Sequence, residues 1–161
     1  MIFEVQKDSI LVSPSDETVK DFDEFYKVKL PPKYVEFLKK YNGAIPVTNI
    51  FSTSKKDYLI ERFLCLLSKE DRDRLPDVSW SEIGVVLTEL DERLVDDENL
   101  IGMNIIPIAM LFAGDFICLD YRENKEVPNV CVWFHDESDE FMPVVEKISS
   151  NFVDFLNNLH V

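Results

Sequence analysis

The chain has 161 residues, 46% of them hydrophobic, and carries 31 acidic against 17 basic side chains, a formal charge of −14. A chain of this length buries roughly 70% of its extended surface around one core, so one domain over residues 1–161, monomeric by default, is expected. The charge works against nucleic acid and anionic membranes as partners, because holding phosphates takes Lys and Arg to displace counterions, and suits either plain solubility or the steering of a basic partner.

In chain order, Ser13 and Pro14 predict a helix start, and Val19, Phe22 and Phe25 or Tyr26 form an apolar stripe among acids, so a first helix should end near Tyr26. The best-bounded element lies in LPPKYVEFLKKYNG, residues 30–43. There Tyr34, Phe37, Leu38 and Tyr41 stand at i, i+3, i+4 and i+7 on one helix face. Pro31 and Pro32 suit a first turn whose N–H groups have no intrahelical partner, and Gly43 suits the left-handed residue past the end. Residues 44–51 read as a strand or an ordered loop. Residues 58–67 read as a helix through Leu59, Phe63, Leu66 and Leu67, or as a buried strand through FLCLL. Ser68 caps a charged turn of helix through Arg74, which Pro76 stops. Ser79 and Glu82 have capping-box spacing ahead of Ile83, Val86, Leu87, Leu90 and Leu94. Gly84 in that helix costs about 1 kcal/mol relative to Ala, which predicts close packing on a neighbour.

From Ile101 the character changes to strands. Ile105–Ala109, Phe116–Tyr121, Val130–His135 and Met142–Val145 are short apolar runs separated by polar connections, the pattern of an antiparallel meander. A final helix carries Ile148, Phe152, Phe155, Leu156 and Leu159 on one side, with Ser149 or Ser150 as cap. Segregated helices and strands predict an α+β fold: an antiparallel sheet of about four to six strands with helices mainly on one face.

The stretch 30–43 resembles the L-P-x-x-Y-x-x-F-L-x-x-Y-N-G signature of the SUKH superfamily, which groups fungal cell-wall-assembly regulators with bacterial toxin-immunity proteins. Ile106–Ala109, GDFICLDY from Gly114 to Tyr121, VCVWFH from Val130 to His135, and the closing amphipathic helix follow the same pattern in order. The resemblance runs from about residue 15 to 160 and is loose over residues 44–100. Ala113 and Gly114 stand where a double Gly often precedes the central strand. The resemblance implies a SUKH-like fold and tips residues 58–67 toward strand.

Enzyme motifs are sparse. With glycines at 43, 84, 102 and 114, the chain has no Gly-rich loop of dinucleotide or Walker type. His135 and His160 belong to no metal-binding or nucleophile motif and read as structural or solvated. Cys65, Cys118 and Cys131 are odd in number, lack C-x-x-C spacing and sit in apolar runs, so buried free thiols in a reducing compartment are expected. The opening MIFEVQKDS has no basic region followed by a long apolar stretch, and no run reaches about 18 apolar residues, so a cytoplasmic location is expected. Residues 136–140 carry oxygen ligands at calcium-loop positions 1, 3 and 5, but Phe141 stands where the template needs Gly. No catalytic residue, metal site or cofactor is therefore expected.

What remains is a surface. The acidic turn Asp136, Glu137, Asp139 and Glu140, together with Asp91, Asp96, Asp97 and Glu98, forms the candidate partner-binding set. Trp80 and Trp133 join it as interface anchors if exposed. The resemblance and the charge together imply a non-enzymatic immunity protein that covers the cationic surface of a nuclease-type toxin. A regulatory scaffold is the alternative, and an enzyme with an undetected carboxylate pair is the third reading.

Overall fold

Ser15, rather than Ser13 or Pro14, opens the first helix: its hydroxyl accepts the Thr18 N–H at 3.1 Å, and α1 runs Asp16–Tyr26. Lys27, with φ 57°, closes it. The structure is a computed structural model and describes residues 3–161. α2, Pro32–Tyr41, forms as its stripe predicts, with Tyr34, Phe37 and Leu38 buried. Gly43 takes φ +67° and leaves so little room that a Cβ would lie 2.7 Å from the Leu11 side chain.

Asn42, beside that glycine, is fully buried. Its amide donates to the carbonyls of Val12 at 2.8 Å and Leu66 at 2.9 Å, and its oxygen accepts the Leu66 N–H at 2.8 Å. One side chain thus ties the N-terminal arm, the end of α2 and the segment after β2 together, satisfying groups that would be costly to bury unpaired.

Most of residues 44–51 is loop, and only Ile50–Ser52 forms a strand, β1. β2 is Asp57–Phe63. The strand reading of residues 58–67 therefore holds as far as Phe63; beyond it the chain leaves the sheet, buried, with Leu64 N–H on the Ile108 carbonyl and Cys65 N–H on that of Ser81. α3, Lys69–Arg74, is capped by Ser68 as expected. The capping box at Ser79 does not form. Ser79 begins a 3-10 turn and its hydroxyl bonds the Pro76 carbonyl, while Glu82 itself caps α4, Ile83–Leu90, by accepting the Gly84 N–H at 2.9 Å. A local side-chain bond to the backbone outcompetes the distant box. Asp91, at φ 45°, breaks the helix, so Leu94 falls in a following 3-10 turn, Asp91–Leu94.

β3 (Ile105–Leu111), β4 (Phe116–Asp120) and β5 (Asn129–Trp133) follow. The last strand, β6, is Val145–Ser149 rather than Met142–Val145. Met142 is exposed and forms only an isolated bridge with Asp139, because the chain from Ser138 to Val144 is drawn into a loop by the Ser138 hydroxyl accepting the Val144 N–H. α5, Phe152–Asn157, is capped by Asn151 instead of Ser149 or Ser150 and stops short of Leu159.

The strands pair antiparallel in the order β1-β2-β3-β4-β5-β6, the expected α+β meander. Register places Phe63, Ala109, Ile117 and Val132 on one face, and Phe37 of α2 covers it, 4.8 Å from Phe63 and 5.2 Å from Phe152 of α5. On the opposite face lie Phe116, Cys118, Trp133 and Cys131, where Arg93 of the 3-10 turn sits 5.1 Å over the Trp133 ring. That second cover explains why β4 is buried at every position.

Candidate partner-binding surface

The hairpin turns after β1, β3 and β5 share one end of the sheet, since Ser52 pairs with Asp57, Ile60 with Leu111 and Phe116 with Trp133. At this end the acidic turn meets the break after α4. Phe141 N–H donates to the Glu92 carbonyl at 2.8 Å. Arg93 donates to the carbonyl of His135 and, at 3.1 and 3.3 Å, to that of Ser138. The guanidinium faces backbone oxygens and the Trp133 ring, while the carboxylates of Asp91, Glu92, Asp136, Glu137, Asp139 and Glu140 are exposed. A cation that consolidates the backbone beneath while six acids stay outside produces a concentrated anionic surface.

The structure divides the predicted set. Asp91 joins the 136–140 turn, but Asp96 does not: it accepts from Asn104 at 3.1 Å and pairs with Arg122 at 3.5 Å, beyond the opposite end of β4. Arg122 also bonds Asp120 at 2.9 Å, so the Asp96 carboxylate is internally engaged. Asp97 and Glu98 are exposed on the loop beyond it. Trp80 is 50% exposed, with its indole N–H on the Asp77 carbonyl, and keeps its place as an anchor candidate. Trp133 is 0% exposed, its indole N–H engaged by the Arg93 carbonyl, so it has no surface to offer a partner and leaves the set. Sequence reasoning missed Arg93, although it is the lone cation in the run from Asp91 to Glu98.

A groove of about 620 Å³ opens between α1, α3 and α4, with Phe22, Tyr26, Leu66 and Leu67 in its walls and the buried Glu82 at its base. Burial raises the Glu82 carboxyl, opposed by the Gly84 N–H and by the Arg72 guanidinium 3.3 Å away. The ion pair favours the carboxylate, and desolvation outweighs it because Glu82 is almost wholly buried while Arg72 is half-exposed. Gly84 explains the packing expected of it, since a Cβ there would lie 2.9 Å from the Glu82 carboxylate and 3.2 Å from the Tyr26 hydroxyl. Burial also raises Asp23, whose carboxylate accepts the Leu30 N–H at 3.1 Å, but Asp23 and Glu82 line different cavities and form no acid pair.

The three thiols are buried and unpaired. Cys118 and Cys131 face each other in register across β4 and β5, a proximity that sequence spacing hides. Burial pushes the Cys65 thiol up to about 11 and raises the other two further. Among the described residues no group of three or more His, Cys, Asp and Glu is placed to hold a metal ion, and no helix is long and apolar enough to cross a membrane. His135 contacts Asp136 at 3.1 Å, and His160 contacts the Ser52 hydroxyl at 3.1 Å while its backbone extends the edge at β1.

No curated protein and no solved structure matches the chain. A family model described as SMI1-KNR4 cell-wall, SUKH_6, matches residues 16–156, from the first turn of α1 to the last turn of α5. The stripe of α2, the Asn42–Gly43 closure and the six-stranded meander are thus those of a SUKH domain, and the chain belongs to the SMI1-KNR4 cell-wall family.

Proposed function

We propose that this protein is a non-enzymatic immunity protein that neutralises a cognate nuclease-type toxin by covering its cationic surface with the anionic end of the sheet. The observation that carries the reading is the clamp that fuses two acidic segments, distant in sequence, into one exposed face. A nuclease presents cations to phosphates, so an acidic face competes with substrate and gains encounter rate from the same field. Asp91, Asp136, Glu137, Asp139 and Glu140 form the core of the contact. Family membership supports a protein-binding role, because SUKH domains include toxin-immunity proteins.

Co-expression with a nuclease-type toxin domain found encoded beside its gene tests the reading. The chain should restore growth, and the quadruple variant Asp136→Lys, Glu137→Lys, Asp139→Lys, Glu140→Lys should not. Protection that survives the charge reversal contradicts this assignment of the surface. The family description itself favours a second reading, a regulatory scaffold for cell-wall assembly, with the groove beside Phe25 as its docking feature. A gene neighbourhood without a secreted toxin selects it.

A further inference from the structure

The sheet face under α2 and α5 carries polar groups where it runs out past those helices, at the hairpin end. Tyr58 stands two residues before Ile60, the partner of Leu111, and so lies on that face; Asp115, two residues before Ile117, and Glu146, opposite Val132, lie on it too. The Tyr58 ring stacks at 5.0 Å on Phe51, which meets Phe155 of α5 at 5.9 Å. Tyr58 is therefore only 8% exposed, yet its hydroxyl keeps a solvent-facing surface and bonds no described residue. Burial raises this hydroxyl, and the carboxylates of Glu146, Asp115 and Glu137 raise it further, so it faces all three.

Little within the chain answers these groups. Glu137 and Glu146 make no hydrogen bond or ion pair with a described residue, and Asp115 commits one oxygen, Oδ1, to the His135 N–H at 2.8 Å. Lys56 comes near, with Nζ 4.5 Å from the Tyr58 ring centroid, but it lies over the ring and pairs with no carboxylate among the described residues. Lys147 stands opposite Cys131, on the other face of the sheet. Three carboxylates against one ammonium leave the space anionic. Its acceptors sit on separate segments, β2, the turn before β4, the loop after β5, and β6, so a planar cation with several donors spans them where a point-like ammonium does not.

We propose that this space receives an arginine side chain of the basic partner, its guanidinium donating to Glu146, Glu137 and the Tyr58 hydroxyl oxygen. The inference rests on the proposed grip of this end of the sheet on a basic protein and names the side chain that is gripped.

Nitrogen–proton correlation NMR of the full chain at low ionic strength, titrated with N-acetyl-arginine methylamide and with its lysine counterpart, tests the site without a toxin. The arginine probe should shift the Tyr58, Asp115 and Glu146 amides saturably, with Kd below about 10 mM, and the lysine probe should bind at least about threefold more weakly. Tyr58→Phe removes a hydroxyl that bonds nothing in the protein, so it should keep the fold by its spectrum and weaken arginine binding at least about threefold. Glu146→Gln should weaken it by at least as much. No saturable binding, shifts spread evenly over the acidic surface, lysine binding as tightly as arginine, or an affinity unchanged in either variant each overturns the site. Any of these leaves the immunity reading to its co-expression test, whereas probe binding with failed protection contradicts the toxin reading alone.

Discussion

The Phe141 N–H lies 2.8 Å from the Glu92 carbonyl, and this single backbone bond marks where the loop between β5 and β6 rests on the 3-10 turn after α4. Arg93 fixes the same junction by bonding the His135 and Ser138 carbonyls and stacking on Trp133. Hydrogen bonds from a charged group contribute about 1.5–3 kcal/mol and a cation over an aromatic ring about 0.5–1 kcal/mol. Arg93→Ala should therefore destabilise the protein by about 2–3 kcal/mol in urea unfolding. Arg93→Lys should recover little, because an ammonium cannot reproduce the planar fork. Amide exchange over residues 135–142 should accelerate in both variants. Unchanged exchange there would remove Arg93 from its role as clamp.

Ala113 takes φ 62° in the turn between β3 and β4, and Gly114 follows at φ 83°. Both are left-handed, so the turn has the geometry of two glycines with a Cβ on the first. Ala113→Gly should stabilise the protein by about 0.5–1 kcal/mol through relief of that strain, less what the freer unfolded chain gives back. Gly114→Ala should destabilise it, since the new Cβ would lie 3.2 Å from the His135 ring in a conformation that L residues avoid. Equilibrium denaturation of the two variants checks both signs.

Glu82 gives a prediction in pH. Burial raises its carboxyl in the folded state above the ordinary value of 4.5. A folded value above the unfolded one means that the native state holds the proton more tightly, so its contribution to stability is fully present below pH 4.5 and is lost as pH rises through the raised value. Glu82→Gln keeps an acceptor for the Gly84 N–H without the buried charge. The stability of wild type relative to this variant should fall as pH climbs through that window. A difference that grows with pH would show the Arg72 ion pair to outweigh desolvation, and one that stays flat would show the two to cancel; either contradicts the raised carboxyl.

The fold was legible where one local rule had no rival. The stripe from Tyr34 to Tyr41, with prolines before it and Gly43 after it, fixed α2, and short apolar runs fixed β3 to β5. Where two local rules competed, the sequence reading chose wrongly. Glu82 caps α4 through Gly84 instead of answering Ser79, Asn151 displaces the serines before α5, and Ser138 folds Met142 out of the last strand. The surface was half legible. Charge identified the acids, but the grouping of Asp91 with the 136–140 turn, the diversion of Asp96 to Arg122 and the burial of Trp133 depend on tertiary contacts that no spacing encodes.

The central claim is that the face carrying Asp91 and residues 136–140 grips a basic protein. The most direct test is the affinity of the chain for a basic nuclease-type toxin domain, where one is encoded beside its gene, measured by surface plasmon resonance across ionic strength for wild type and for the 136–140 charge-reversal variant. Association by wild type should slow steeply as salt rises, and the variant should bind at least about tenfold more weakly with little salt dependence. Equal affinities with parallel salt slopes would contradict the account.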